Sequence, residues 1–147
     1  MTERFQAAFG IPLPGPNQAI ATEALRVIWR EPGAWMVRAR LTARESLMAG
    51  LQALVDADGA VTDISGAVAR CRLTGPDWRI LLTYGGVFDA EDPAFAPGCV
   101  AGTVVEHMAV RFDVISQTEV DAYVAPSYAA DLFAYWASVA RGLDVRG

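Results

Sequence analysis

Three observations predict an α+β domain, with a mostly antiparallel sheet and about three packed helices. Short stretches alternate apolar residues with arginines or other polar residues, as half-buried strands do; Leu25, Val27 and Trp29 are one case and Val110, Phe112 and Val114 another. Between such stretches, apolar residues recur at helical spacing, as in Leu47, Met48, Leu51, Leu54 and Val55. The resulting order, ββ-α-ββ-α-βββ-α, puts helices on an antiparallel sheet instead of alternating them with parallel strands. At 147 residues the chain suits one domain. A chain of that size buries roughly 70% of its unfolded surface without a metal or disulfide staple.

Residues 1–24 read as an N-terminal arm and residues 25–147 as a single α+β domain. A short helical turn from Glu3 to Phe9 leads into Ile11-Pro12-Leu13-Pro14-Gly15-Pro16-Asn17, whose alternating prolines favour an extended arm. In the hairpin that follows, Leu25, Val27 and Trp29 alternate with Arg26 and Arg30, Trp35, Val37 and Ala39 alternate with Arg38 and Arg40, and Glu31-Pro32-Gly33 supplies a type II turn. Thr42-Ala43-Arg44-Glu45 fits a capping box for the next helix, with Gly59 to end it. Val61–Ser65 and Ala67–Leu73 read as a strand pair around Ser65-Gly66. Thr74-Gly75-Pro76-Asp77 is a helix entry, and Gly85-Gly86 stops that helix. After a loop from Asp89 to Gly98, strands are expected at about Thr103–Met108, Val110–Ser116 and Val120–Val124. Ser127 is then the expected cap of a final helix.

That last helix has an unusual composition. Tyr128, Leu132, Tyr135, Trp136 and Val139 make a core stripe, yet Phe133 and several alanines cover much of the remainder. A helix apolar most of the way round is buried on more than one side, and in a small chain the second side points to another subunit. Phe133, Trp136, Ala137 and Ala140 are therefore the expected interface residues, with the proline-rich arm as a second contact.

Composition narrows the function classes. The net charge is −5, and all 12 basic residues are arginine. A sequence pI near 4.7 leaves no electrostatic footprint for nucleic acid or an anionic membrane. The absence of lysine excludes Schiff-base chemistry, a P-loop lysine and a pyridoxal anchor on this chain. Hydrophobic residues reach 53%, but no run is long enough, free of charge, Gly and Pro, to span a bilayer. Met1-Thr2-Glu3-Arg4-Phe5 lacks the pattern of a secretory signal, and a cytoplasmic protein is expected.

The chemical inventory is thin. His107 is the only histidine, placed on an expected strand, and it lacks the companions of a metal site. Cys71 and Cys99 form no disulfide framework, although Cys99 lies in a loop where a thiol is accessible. Ser127 has none of the glycines of a nucleophile elbow. Asp63, Asp89 and Asp92 are explained by capping and turns, and the arginines on the strands by a solvated face. No catalytic, cofactor-binding or metal-binding residue is assigned.

Taken in order, several motifs resemble the gamma subunit family of heterotetrameric sarcosine oxidase. They are Leu13-Pro14-Gly15-Pro16-Asn17 before Val27-Ile28-Trp29 and Trp35-Met36-Val37; Val61-Thr62-Asp63-Ile64-Ser65; Leu73-Thr74-Gly75-Pro76; Asp92-Pro93-Ala94-Phe95-Ala96-Pro97-Gly98-Cys99; and the closing run from Ser127 to Phe133. The resemblance implies a fold similar to part of the aminomethyltransferase-type folate-binding domain. It also implies an accessory, non-catalytic subunit beside alpha and beta subunits, in a complex that oxidatively demethylates sarcosine or a related N-methyl amine. FAD, FMN, NAD and tetrahydrofolate are then expected on partner subunits and none on this chain. The alternatives are a stand-alone folate-like binding module and a homo-oligomeric domain, since an uncovered apolar face tends to pair with itself.

Overall fold

The computed structural model describes residues 1–55 and 59–144. The chain divides into two compact units, Met1–Ile64 and Ser65–Gly147. Each holds one antiparallel sheet. The architecture is α+β, with two antiparallel sheets and, among the described residues, four α-helices.

In the first unit, α1 (Thr2–Phe9) precedes the proline-rich arm, and β1 (Ala19–Ala21), β2 (Leu25–Glu31) and β3 (Ala34–Ala39) form a sheet in that order. The expected β2–β3 hairpin forms, with Val27 opposite Val37 and Trp29 opposite Trp35. Gly33 takes φ 79°, the left-handed value a type II turn requires. Phe5, Leu25 and Val27 are the buried centre, and Phe9, Leu13, Trp35, Leu51 and Leu54 pack around them. Pro14 is buried, and its carbonyl accepts a 2.9 Å hydrogen bond from the Trp35 indole, which ties the arm to the hairpin. β1 gave no sequence signal, because three residues are too few to show an alternation.

α2 spans Arg44–Leu54. The expected capping box is absent: Leu41–Ala43 forms a 3-10 turn closed by Ala43 N–H on Arg40 O, so the helix starts two residues after Thr42. The helix also ends at Leu54, with Val55 already extended, and not at Gly59. The expected strand over Val61–Ser65 does not form. Asp63 in that stretch is instead held by Arg44, with an Nη2–Oδ2 distance of 2.6 Å.

The second unit carries β4 (Ala69–Thr74), α3 (Trp78–Thr83), β5 (Val100–Val105), β6 (Met108–Ser116), β7 (Glu119–Val124) and α4 (Pro126–Asp144). Its sheet runs β4-β7-β6-β5, so β4 pairs with the distant β7 and not with the residues before it. One sheet face presents Cys71, Phe112, Val114, Val120 and Ala122, and α3 and α4 cover it with Trp78, Leu82, Leu132 and Trp136. The turn between β5 and β6 is Glu106-His107, which falls inside the single strand expected over Thr103–Met108. Glu106 adopts φ 54° there, a position that glycine usually fills in a two-residue hairpin loop, so the turn carried no recognisable signal.

Gly85 secures the junction of α3, β5 and α4. Its φ is 69°, and an added Cβ would collide with Tyr135 Oη and Glu106 Oε1. Its carbonyl accepts Glu106 N–H at 2.7 Å. Gly33 has a similar φ but open space around it. Gly85→Ala is therefore expected to destabilise by about 2–3 kcal/mol, against about 1 kcal/mol for Gly33→Ala, in urea unfolding. Equal losses would show that backbone conformation alone, and not the close approach, sets the cost.

Candidate functional site

The residues that could carry chemistry are scattered and committed elsewhere. His107 is exposed at the β5–β6 turn, with its ring edge-on to Tyr128 at 6.0 Å; it is not on a strand as expected. Ser127 lies inside the first turn of α4, which starts at Pro126, and so is not its cap. Asp89 Oδ1 accepts Glu91 N–H at 2.9 Å and Asp92 Oδ1 accepts Ala94 N–H at 2.8 Å, the side-chain turns expected of these acids. Arg79 pins the same loop, donating to Ala90 O at 2.5 Å and Phe95 O at 2.6 Å, with its guanidinium 4.4 Å from the Trp78 ring centre. Among the described residues no group of three His, Cys, Asp or Glu side chains could hold a metal ion, and no helix is long and apolar enough to cross a membrane.

The strongest electrostatic feature is one the sequence reading missed. Asp121 on β7 is fully buried, and Arg72 on β4 grips it in two places, Nε to Oδ1 at 2.8 Å and Nη2 to Oδ2 at 3.0 Å. Arg70 reaches the same carboxylate at 3.4 Å, and Arg72 also reaches Glu119 at 3.4 Å. The bond to Asp121 holds the Arg72 guanidinium above its ordinary pKa, against the partial loss of water around it. Asp113, also fully buried, stands directly opposite Asp121 in the β6–β7 register. In the sequence these aspartates look like the solvated half of an alternating strand. The available signal was the match of Asp121, across strands, to Arg72, with Arg70 one strand repeat away.

This network acts on Cys71, which points from β4 into the core. Burial, and then the Asp121 charge, push its thiol up to about 11. Cys99 is half-buried, and its thiol donates to Ala94 O at 3.0 Å. A thiol with a pKa near 11 is roughly one thousandth ionised at pH 8, so Cys71 is protected from alkylation by both access and charge. Native protein at pH 8 is expected to take up at most one equivalent of iodoacetamide, at Cys99, and two equivalents in denaturant; mass mapping of native Cys71 adducts would contradict this. Asp121→Asn leaves Arg70 and Arg72 without their shared carboxylate. The expected loss is about 2–3 kcal/mol in urea unfolding, less than for a fully dry pair because both arginines reach solvent.

The four residues expected at an interface separate on α4. Trp136 is only 3% exposed, packs on Phe112 at 6.0 Å between ring centres, and belongs to the chain's own core. It is thus unavailable to a partner, because its place in the core stripe turns it inward beside Leu132. Phe133 is 50% exposed and Ala137 is exposed, each one residue beyond the buried stripe and so turned away from it. Ala140 is half-buried and lines a cleft of about 400 Å³ with Leu73, Trp78, Leu81 and Leu143. The helix therefore buries one side in this chain and leaves Phe133 outside it.

No family model matches the chain, and no curated protein matches it in sequence. A solved structure matches in fold: a chain of heterotetrameric sarcosine oxidase from Corynebacterium sp. U-96, in complex with pyrrole 2-carboxylate. The TM-score is 0.82 at 17% identity, over 92% of this chain and 70% of that one. The chain thus has the α+β fold of part of a sarcosine oxidase subunit.

Proposed function

We propose that this chain is an accessory, non-catalytic subunit of a sarcosine-oxidase-type flavoenzyme, equivalent to its gamma subunit. The observation that carries the reading is the fold match across 92% of the chain to a chain of a heterotetrameric enzyme. Matched shares of 92% and 70% make that chain only about one-third longer than this one, which suits a small subunit. The dispersed inventory of acids, thiols and the single histidine supports the accessory role, since reacting groups must stand within hydrogen-bond reach of one another.

On this reading the complex oxidatively demethylates sarcosine or a related N-methyl amine in the cytoplasm. FAD, FMN, NAD and tetrahydrofolate sit on the other subunits, alpha and beta among them. The contribution of this chain is surface: Phe133 and Ala137 on α4 meet a partner, with Ala140 at the margin. A standard interface takes roughly 800 Å² from each side, within the means of one helix face and its surroundings.

Co-expression with the flavin-bearing subunits tests the reading. Phe133→Asp is expected to keep the wild-type thermal midpoint, because the side chain lies outside the core, and to abolish assembly in size-exclusion chromatography. Trp136→Ala is expected to cost the isolated chain about 3–5 kcal/mol instead. Full assembly and sarcosine turnover with Phe133→Asp would remove α4 from the interface. Unchanged turnover and complex stability with the chain omitted altogether would overturn the subunit reading.

A further inference from the structure

β4 is an edge strand, and its free side opens onto the cleft of about 400 Å³. The hydrogen-bond phase shows which backbone groups face outward. Gly75 N–H donates to Thr118 O at 2.9 Å, which makes the Thr74–Glu119 pair the non-bonded kind. Cys71 and Leu73 therefore direct their N–H and C=O groups to β7, and Arg70, Arg72 and Thr74 direct theirs away from the sheet. All three residues are exposed.

Exposed edges are commonly guarded by charged side chains that project past the strand. Here the guard is turned aside, because Arg70 and Arg72 lean back over the sheet to the buried Asp121. The two sides of the edge differ in character. Toward the helices lie Leu73, Leu81, Ala140 and Leu143, the apolar part of the cleft. On the opposite side stands Arg70, with 46% of its side chain exposed, and its 3.4 Å contact is the weaker of the two arginine contacts to Asp121.

We infer that the β4 edge docks an extended segment of a partner polypeptide as a fifth strand, one whose apolar side chains enter the cleft while its acidic side chains, alternating with them, face Arg70. The unpaired N–H and C=O groups select an extended backbone, and the strand period of two sends successive side chains to opposite faces. The cleft then takes one set and the guanidinium the other. This surface meets the α4 interface only at Ala140, and peptide binding to the isolated chain tests it independently of the subunit reading.

The test uses the full chain and two synthetic octapeptides, acetylated and amidated, one alternating Leu with Glu and the other Leu with Lys. Amide NMR is expected to show saturable binding of the Leu/Glu peptide below about 1 mM, with shifts centred on Arg70, Arg72 and Thr74, and binding of the Leu/Lys peptide at least about tenfold weaker. Arg70→Glu is expected to reverse the preference. Thr74→Pro, which deletes one outward N–H at a position where an edge strand tolerates proline, is expected to weaken Leu/Glu binding at least about tenfold. No saturation by 1 mM, equal affinity for the two peptides, or shifts centred elsewhere would overturn the inference. So would pairing of two copies through these same amides before any peptide is added. The peptide comparison and Arg70→Glu decide the matter even if Thr74→Pro fails to fold.

Discussion

The second sheet is organised around one buried carboxylate. Asp121 has no exposure, and a carboxylate in that position is tolerable only with strong donors on it. Arg72 supplies two bonds, and Arg70 a longer third contact, from a strand 49 to 51 residues away in sequence. That requirement fixes the side by which β4 joins the sheet, because a one-residue slip would turn both arginines to the opposite face. It also places Cys71 on the core face, where burial and then the Asp121 charge keep the thiol protonated. The arginines that satisfy Asp121 are drawn off the sheet edge, and the edge is left open as a result.

The other face of the sheet determines what α4 can do. Leu132 and Trp136 close the core over Phe112, so this side of the helix is fully used within the chain. Phe133 follows Leu132 directly and so falls on another side, half exposed. A large apolar side chain held out on a well-packed helix suits contact with a partner better than chemistry. The groups that could react are held by local duties: Asp89 and Asp92 by turns, Cys99 by the Ala94 carbonyl, Tyr135 by Glu106. Desolvation, together with the Glu106 charge and hydrogen bond, raises the Tyr135 pKa and keeps that phenol neutral.

Much of this fold was legible in the sequence wherever one physical period governed a segment. The β2–β3 hairpin, α3, β6, β7 and α4 follow from alternation, helical spacing and turn chemistry that agree with their tertiary setting. The failures fall where a distant contact decided the outcome. Val61–Ile64 has strand composition, yet it forms no ladder, and β4 found β7 instead. Thr42 has capping chemistry, but the preceding 3-10 turn moved the helix start. Glu106 takes a conformation that its side chain does not advertise, and so His107 moved from a strand to a turn. Of the expected interface, Phe133 and Ala137 are exposed and Trp136 is core; helical spacing alone separates them, since Trp136 lies four residues after Leu132 on one stripe. Asp113 and Asp121 were missed because a strand's polar alternation looks the same whether that face meets water or is buried, and only the strand pairing reveals Arg72 opposite Asp121.

The proposed role makes this chain one part of a larger flavoenzyme. Native mass spectrometry of the tagged chain, purified at natural expression levels from its own host, tests that most directly. The expected result is one copy of this chain in a complex with larger subunits that release flavin on denaturation. Recovery of the chain alone, or only as a homo-oligomer, would contradict the proposed role.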